Sequence, residues 1–373
     1  MRVGLLTYAL DRPLSGISRY TIELARALRA LAGGPDLVLL TAGGPGPLGR
    51  GEGLERAPLR GCSRWPALIA WGSLMVPLAA RQSGVALVHD PSGAAPLLFG
   101  AAGARTVVTV HDVFAWSCPG HSTLIDTLLY RHWLPRVLPR VDAVITVSQV
   151  SKADIVRHLH VPTTKVHVVY RWLHAGLRRA HADEIAAARS RHGLPEDYVL
   201  FVGSVEKRKN VHGLLQAYAL LNARGNPPPL VVVGVQRMGT SGLSRMPQDL
   251  GLTEKVHFAG YIPDEDLPAI YSGADLSVFP SLYEGFGLPP LEAMACGTPV
   301  VCSDAGSLPE VVGDAAITVD PYDVEGLAEA MRRVLADRDL AEDLRSRGLE
   351  RARMFSWEKA ARETMEVYRE VLR

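Results

Sequence analysis

Net charge is what this sequence most lacks: 40 Lys and Arg stand against 39 Asp and Glu in 373 residues, so no global field exists of the kind that gathers nucleic acid. Any polyanion must be met by a local site. Cysteine is nearly absent too. Cys62, Cys118, Cys296 and Cys302 form no C-x-x-C pair and have no histidine at zinc-finger spacing. That excludes a disulfide scaffold and fits a reducing, cytoplasmic setting. No stretch reaches the ~18 to 20 apolar residues of a membrane-spanning helix, because Pro66, Pro77 and Arg81 interrupt the most apolar one, 65–82. A soluble or peripheral protein is expected. No small-residue cleavage site follows Arg2-Val-Gly-Leu-Leu-Thr-Tyr8, so this opening run reads as a buried strand and not as an export signal.

What is present is an alternation of short β-branched runs with amphipathic segments. The runs at 2–8, 36–41, 86–90, 106–111, 143–148 and 165–170 are apolar on both faces, which predicts parallel strands in βα units. Ile17, Tyr20, Leu24, Ala27, Leu28 and Leu31 recur at helical spacing and predict the first crossover helix. The Gly/Pro-rich stretch 43–53 reads as a surface loop. A polar Arg/Ala/His-rich segment between Arg171 and Pro195 marks the interdomain linker, and a second series of runs follows at 198–203, 230–234, 256–260, 276–280, 299–302 and 315–319. The expectation is an α/β chain of two doubly wound Rossmann-like domains, 1–172 and 173–373, facing a cleft. Helices are expected to close the second domain, the last of them capped by Ser356.

The segment richest in chemistry is Ser281-Leu-Tyr-Glu-Gly-Phe-Gly-Leu-Pro-Pro-Leu-Glu-Ala-Met-Ala-Cys-Gly297, directly after the run 276–280. Gly285 and Gly287 let bare backbone approach a ligand, and Pro289 and Pro290 suit the first turn of a helix. Glu284 on the loop and Glu292 in the first helical turn can accept from sugar hydroxyls, while amides at the helix start can meet an anion. A simple turn requires far less than this set of residues.

A second cluster is Phe201-Val-Gly-Ser-Val-Glu-Lys-Arg-Lys-Asn210. The chain has only six lysines, and Lys207 and Lys209 flank Arg208 here. Cations at the carboxyl end of a strand, beside a helix start, suit a phosphate. A merely solvated turn is the competing reading for Lys207. Two other features carry less. Asp264-Glu-Asp266 mimics a D-x-D metal motif yet opens a helix through Leu267, Ile270 and Tyr271, so it reads as helix N-terminal charge. The twelve histidines contain no i, i+4 pair with a nearby carboxylate, and no metal centre is expected.

The 281–297 segment resembles the E-x7-E signature of glycosyltransferase family 4, retaining enzymes of two Rossmann-like domains (the GT-B fold), and the resemblance runs over nearly the whole chain. It implies that Glu284 and the loop of Gly285, Phe286, Gly287 and Leu288 hold a donor hexose, and that Glu292 binds the nucleotide ribose. The turn 202–210 is similar to the family's V-G-x-x-x-x-R-K-N turn, in which Lys209, with Arg208, neutralises the donor diphosphate. Ser204 stands where many relatives carry Arg. Gly16, in the loop 11–18, resembles the family's glycine loop facing donor phosphates or acceptor, and His111 matches a donor-sugar contact. Ser148 and Ser151 match a helix-capping pair. Tyr170-Arg-Trp-Leu-His174 departs from the usual Asn-Gly near the hinge.

The resemblance is greatest to bacterial α-mannosyltransferases. It implies a hexosyltransferase with no cofactor, using a nucleotide sugar, GDP-mannose ahead of UDP-hexoses, and a glycan or lipid-linked glycan acceptor in surface polysaccharide synthesis. No covalent nucleophile stands out in the sequence. A nucleotide-sugar epimerase, a phosphorylase or a non-catalytic nucleotide-sugar binder on the same fold are the alternatives. The segment 130–140 mixes cations with apolar residues as an element at the inner face of a membrane does, or as an ordinary amphipathic helix does.

Overall fold

The computed structural model describes residues 1–7, 16–43, 48, 53–62, 65–117, 124–171, 173, 176–236 and 242–373. Residues 11–15, Cys118, Trp172 and His174, all named above, lie outside them. The chain forms two units, one of Met1–Trp172 with Ser356–Arg373 and the other of Leu173–Phe355.

In the first unit, β1 (Arg2–Leu6), β2 (Asp36–Thr41), β3 (Glu55–Pro58), β4 (Leu87–Asp90), β5 (Arg105–Val110), β6 (Ala143–Thr146) and β7 (Val166–Val168) build one sheet. Its order is β3-β2-β1-β4-β5-β6-β7, and every pairing is parallel. β4 and β6 are buried at every position, as expected where helices cover both faces. The strand order reverses between β1 and β4. β3 carries no β-branched run, only Glu-Arg-Ala-Pro, and sits at an edge where proline is tolerated.

The helix Gly16–Ala30 is the predicted first crossover, with Tyr20, Leu24, Ala25 and Leu28 buried. Ser148 caps the helix Gln149–Leu159 by accepting from the Ser151 amide at 3.0 Å. Ser151 is therefore a helical residue and not a second cap. The last helix, Trp357–Leu372, capped by Ser356 as expected, belongs to the first unit. This corrects its assignment to 173–373. Its Ala360, Ala361, Met365, Val367 and Tyr368 are buried, and each large apolar side chain so placed is worth about 1.5–3 kcal/mol.

The second unit contains β8 (Val199–Val202), β9 (Leu230–Val233), β10 (Val256–Gly260), β11 (Leu276–Phe279), β12 (Val300–Ser303) and β13 (Ile317–Val319). They form a parallel sheet in the order β10-β9-β8-β11-β12-β13. Here the order reverses between β8 and β11, and ligands of open α/β sheets bind at the carboxyl ends of such a pair. Much of the presumed linker is a helix, Ala182–His192, started by a capping box of His181 and Glu184 and stopped by Gly193 in the left-handed conformation. Its low apolar content concealed it in the sequence.

Candidate functional site

At the reversal in the second unit, the loops after β8 and β11 are tied together. β8 leads into Gly203, whose amide donates to the Val233 carbonyl at 2.9 Å. A Cβ on the neighbouring Gly234 would lie 1.9 Å from the Gly203 carbonyl oxygen, so the two strand ends pass as bare backbone. Ser204 follows, half-buried. Lys207–Lys209 then make one turn of 3-10 helix. Asn210, at φ 54°, caps the helix Val211–Arg224 by accepting from the Gly213 amide and donates to the Pro321 carbonyl at 2.7 Å.

This turn exposes Lys207 and buries Lys209, which is 8 % exposed. The Lys209 ammonium lies 2.6 Å from Glu284 Oε1 and 4.9 Å from the centre of the Phe279 ring. Arg208 donates from Nη1 to Glu284 Oε2 at 3.0 Å and to the Tyr283 carbonyl at 2.8 Å, and from Nη2 to Glu206 at 3.0 Å. The Leu282 amide donates to the Arg208 carbonyl at 2.8 Å. Glu284, 7 % exposed, is thus enclosed by both cations. Burial alone would raise its pKa, but the Lys209 and Arg208 charges outweigh that and hold it below the usual carboxylate value. Lys209, Arg208 and Glu284, which belong to two separate clusters in the sequence, are joined by ion pairs into one unit.

The backbone after Glu284 is held from behind. Ser307 Oγ donates to the Glu284 carbonyl at 3.0 Å and to the Phe286 carbonyl at 2.7 Å. Gly306, at φ 60°, has no room for a side chain, since its Cβ would lie 2.7 Å from the Glu284 carbonyl oxygen. Phe286 is buried edge-on against Phe355. Gly287, at φ 110°, precedes the helix Leu288–Ala295. Pro289 and Pro290 have no N–H, so this helix start offers fewer amides to an anion than the sequence reading assumed.

Glu292 is the fifth residue of that helix, in its second turn and not its first. It is half-buried and accepts from the Tyr271 hydroxyl at 2.8 Å. Tyr271, Glu206, Gly306 and Ser307 are supporting residues that the sequence reading did not single out. Asp266 precedes the helix Leu267–Ser272 as expected, and its carboxylate is occupied by Arg191 and His192. Among the described residues no group of three or more His, Cys, Asp or Glu is placed to hold a metal ion.

In the first unit, Gly16 and His111 belong to one cluster. Arg171 donates to the Gly16 carbonyl at 2.9 Å and lies 5.6 Å from the Tyr20 ring, which meets His111 edge-on at 4.8 Å. His111 Nε2 is 2.9 Å from the Pro91 carbonyl, which can only accept, so Nε2 carries the proton and Nδ1 the lone pair. That Nδ1 has no hydrogen-bond partner among the described residues. Burial, reinforced by the Arg171 charge, pushes the His111 pKa down to about 3. His89 lies on β4 between the Tyr368 hydroxyl at 2.6 Å and Thr109 Oγ1 at 2.8 Å, and burial pushes it too to about 3. Asp90, wholly buried, accepts from the Ser92 and Ala95 amides and folds the loop after β4.

Both imidazoles are therefore neutral at working pH. Their Cε1 proton resonances should not titrate between about pH 5 and 8. The unfolded chain takes up these protons near pH 6.5 and the folded chain only near 3. Stability is then full above about pH 6.5 and falls as pH drops through that window. A resonance of either ring titrating near its ordinary value would refute the assignment.

Comparison with known proteins gives a consistent picture. Residues 14–176 match the family model described as Glycosyltransferase Family 4, and 184–351 match that described as Glycosyl transferases group 1. The chain is 32 % identical over 383 aligned positions to O-antigen chain mannosyltransferase B of Escherichia coli, covering 99 % of this chain and 100 % of that one. It is 31 % identical to the MMP α-(1→4)-mannosyltransferase of Mycolicibacterium hassiacum over 79 % of this chain and 73 % of the relative. Its fold is similar to that of sucrose-phosphate synthase from Thermosynechococcus elongatus, with a TM-score of 0.80, 25 % identity and coverage of 99 % and 98 %.

Proposed function

We propose, for a chain that belongs to glycosyltransferase family 4, retaining transfer of mannose from GDP-mannose to a glycan or lipid-linked glycan acceptor in surface polysaccharide synthesis. The observation that carries the mannose assignment is the full-length similarity to a mannosyltransferase. The knot of Glu284, Lys209 and Arg208 at the strand reversal supports the reaction type.

The costly step separates a nucleoside diphosphate from the anomeric carbon while negative charge grows on the leaving phosphate. Lys209 and Arg208 meet that charge. As the diphosphate takes over these cations, the Glu284 carboxylate loses partners and becomes available to the hexose hydroxyls. Glu292, steadied by Tyr271, takes the ribose. In the first unit, neutral His111 keeps Nδ1 as a hydrogen-bond acceptor. The acceptor hydroxyl attacks the anomeric carbon on the face the phosphate is leaving, that bond breaks, and the departing phosphate takes the hydroxyl proton.

Two cations at the diphosphate also lead us to propose turnover without a divalent metal or other cofactor. The test is release of nucleoside diphosphate from a donor panel, with and without acceptor, before and after metal stripping. GDP-mannose should give the fastest acceptor-dependent release and the largest rise in melting temperature, and excess EDTA should leave the rate unchanged. A uridine donor that outperforms it reverses the donor assignment. Loss of activity on chelation, restored by magnesium or manganese, sinks the metal-independent reading. Release that ignores every acceptor argues against a transferase.

A further inference from the structure

The helix that closes the second unit, Arg338–Arg353, supports both carboxylates of the site from behind. It carries Arg345, Gly348 and Arg351, and Phe355 follows its end. Arg345 Nε donates to the Gly297 carbonyl at 2.8 Å, just past the end of the helix that bears Glu292. Gly348 lets the two helices approach closely, since a Cβ there would lie 3.1 Å from Met294 Cγ.

Arg351 reaches the other carboxylate through a strut. Its Nε and Nη2 donate to the Val311 and Glu310 carbonyls at 2.8 and 2.6 Å. These belong to the last turn of the helix Leu308–Val312, where carbonyls find no partner within the helix. Five residues do not hold a helix on their own, so its two ends are set by what touches them. At the far end, Ser307 Oγ donates to the Glu284 and Phe286 carbonyls, and a Cβ on Gly287 would lie 2.5 Å from Leu308 Cδ2. The short helix thus runs from Arg351 to the backbone of the loop.

Phe355 makes a second strut to the same loop. The Arg351 guanidinium carbon lies 5.3 Å from the centre of its ring, and the ring of Phe286 meets it at 5.9 Å with the planes at 74°. With its side chain buried there, Phe286 has only its backbone to offer a hexose. The loop residue is therefore set in place by Phe355, and the loop backbone by Ser307 and the short helix that Arg351 holds.

We infer that Arg351 and Phe355 are positioning residues for the hexose half of the donor site, fixing the backbone of 284–287, and that Arg345 positions the ribose half through the helix of Glu292. The inference rests on the roles proposed above for Glu284 and Glu292. Arg351→Ala and Phe355→Leu should lower kcat about 10- to 100-fold, as misplacing a reacting group by about 1 Å does, with the Kd for GDP within about twofold. Arg345→Ala should instead weaken GDP about fivefold, with a smaller change in kcat. A helix that served only to fold the unit would lower the melting temperature in all three without this difference in kind. Rates are measured well below each melting temperature, with the nucleotide sugar that the intact chain turns over fastest. Hydrogen exchange of the 285–288 amides, which needs no substrate, should quicken in Arg351→Ala and Phe355→Leu and not in Arg345→Ala. Arg351→Lys lacks the planar fork that spans two carbonyls, should share the defect, and replaces the alanine variant if that one melts early. Unchanged exchange in the Arg351 and Phe355 variants, or the same split between kcat and Kd in Arg345→Ala as in Arg351→Ala, overturns the inference. An intact chain that turns over no nucleotide sugar sinks the donor reading instead, and the exchange result then decides whether Arg351 and Phe355 set the loop.

Discussion

Lys209→Ala should lower turnover by about 10²- to 10³-fold, as loss of one oxyanion-stabilising group does elsewhere, while Lys207→Ala should stay within about twofold. The two lysines are neighbours in sequence and opposites in environment. Lys207 is exposed, whereas Lys209 is buried against Glu284. Removing Lys209 takes a cation from the leaving diphosphate and one of two compensating charges from a buried carboxylate. The second loss has its own signature. In the intact protein the two cations hold the Glu284 pKa below its ordinary value against burial, so its contribution is present above the unfolded pKa and lost only as pH falls through the depressed folded one. Without Lys209 burial weighs more, the folded pKa rises, and the acid limb of stability and rate moves to higher pH. Steady-state rates across pH, with calorimetric titration of GDP, measure both. Small and equal effects from the two substitutions would mean that this turn is only a solvated charge cluster.

The environment of Lys209 also marks where sequence reading stops. The sheets were legible because their central strands are buried on both faces, and continuous apolar runs such as Leu230–Val233 leave few other assignments. The loop 284–288 was legible because glycine allows the positive φ taken at Gly287 and Pro289 and Pro290 fix the first helical turn after it. That Glu284 pairs with a lysine 75 positions away was not legible, since it follows from β8 and β11 being adjacent, which is a property of strand order. The hydrogen bond between Tyr271 and Glu292 was hidden for the same reason. Local periodicity gave the last helix correctly, yet its unit is decided by long-range contacts such as Tyr368 with His89. β3 and the helix Ala182–His192 were missed because neither shows apolar periodicity: one is an edge strand, and the other buries only Ala188. In 68–80 nearly every residue is apolar, so no pattern distinguishes the buried Val76, Ala79 and Ala80 from the exposed Trp71, Leu74 and Leu78.

Glu284→Gln and Glu292→Gln should fail in different ways. The amide at 284 keeps the shape of the side chain but leaves Lys209 and Arg208 without their shared anion. Breaking a buried pair from one side costs about 3 kcal/mol or more; Arg208 retains Glu206 and the Tyr283 carbonyl, so the low end is expected. The unliganded variant should therefore melt earlier, and GDP should restore more of its stability than it adds to the intact protein, because the diphosphate supplies the missing negative charge. GDP affinity should hold or tighten, since no carboxylate competes for the cations. Turnover should fall sharply, because a group that touches the hexose strengthens its contact as the anomeric centre flattens, and an uncharged one does so less. Glu292→Gln should instead weaken GDP itself with a smaller effect on the chemical step, since a ribose contact is alike in ground and transition states. Tyr271→Phe, which removes the hydroxyl that donates to Glu292, should reproduce a milder form of that defect. Calorimetric titration of GDP, melting curves with and without it, and steady-state kinetics separate the two patterns. Loss of GDP affinity in Glu284→Gln with retention in Glu292→Gln would exchange the two roles, and no early melting in Glu284→Gln would remove the cation knot from the account of the site.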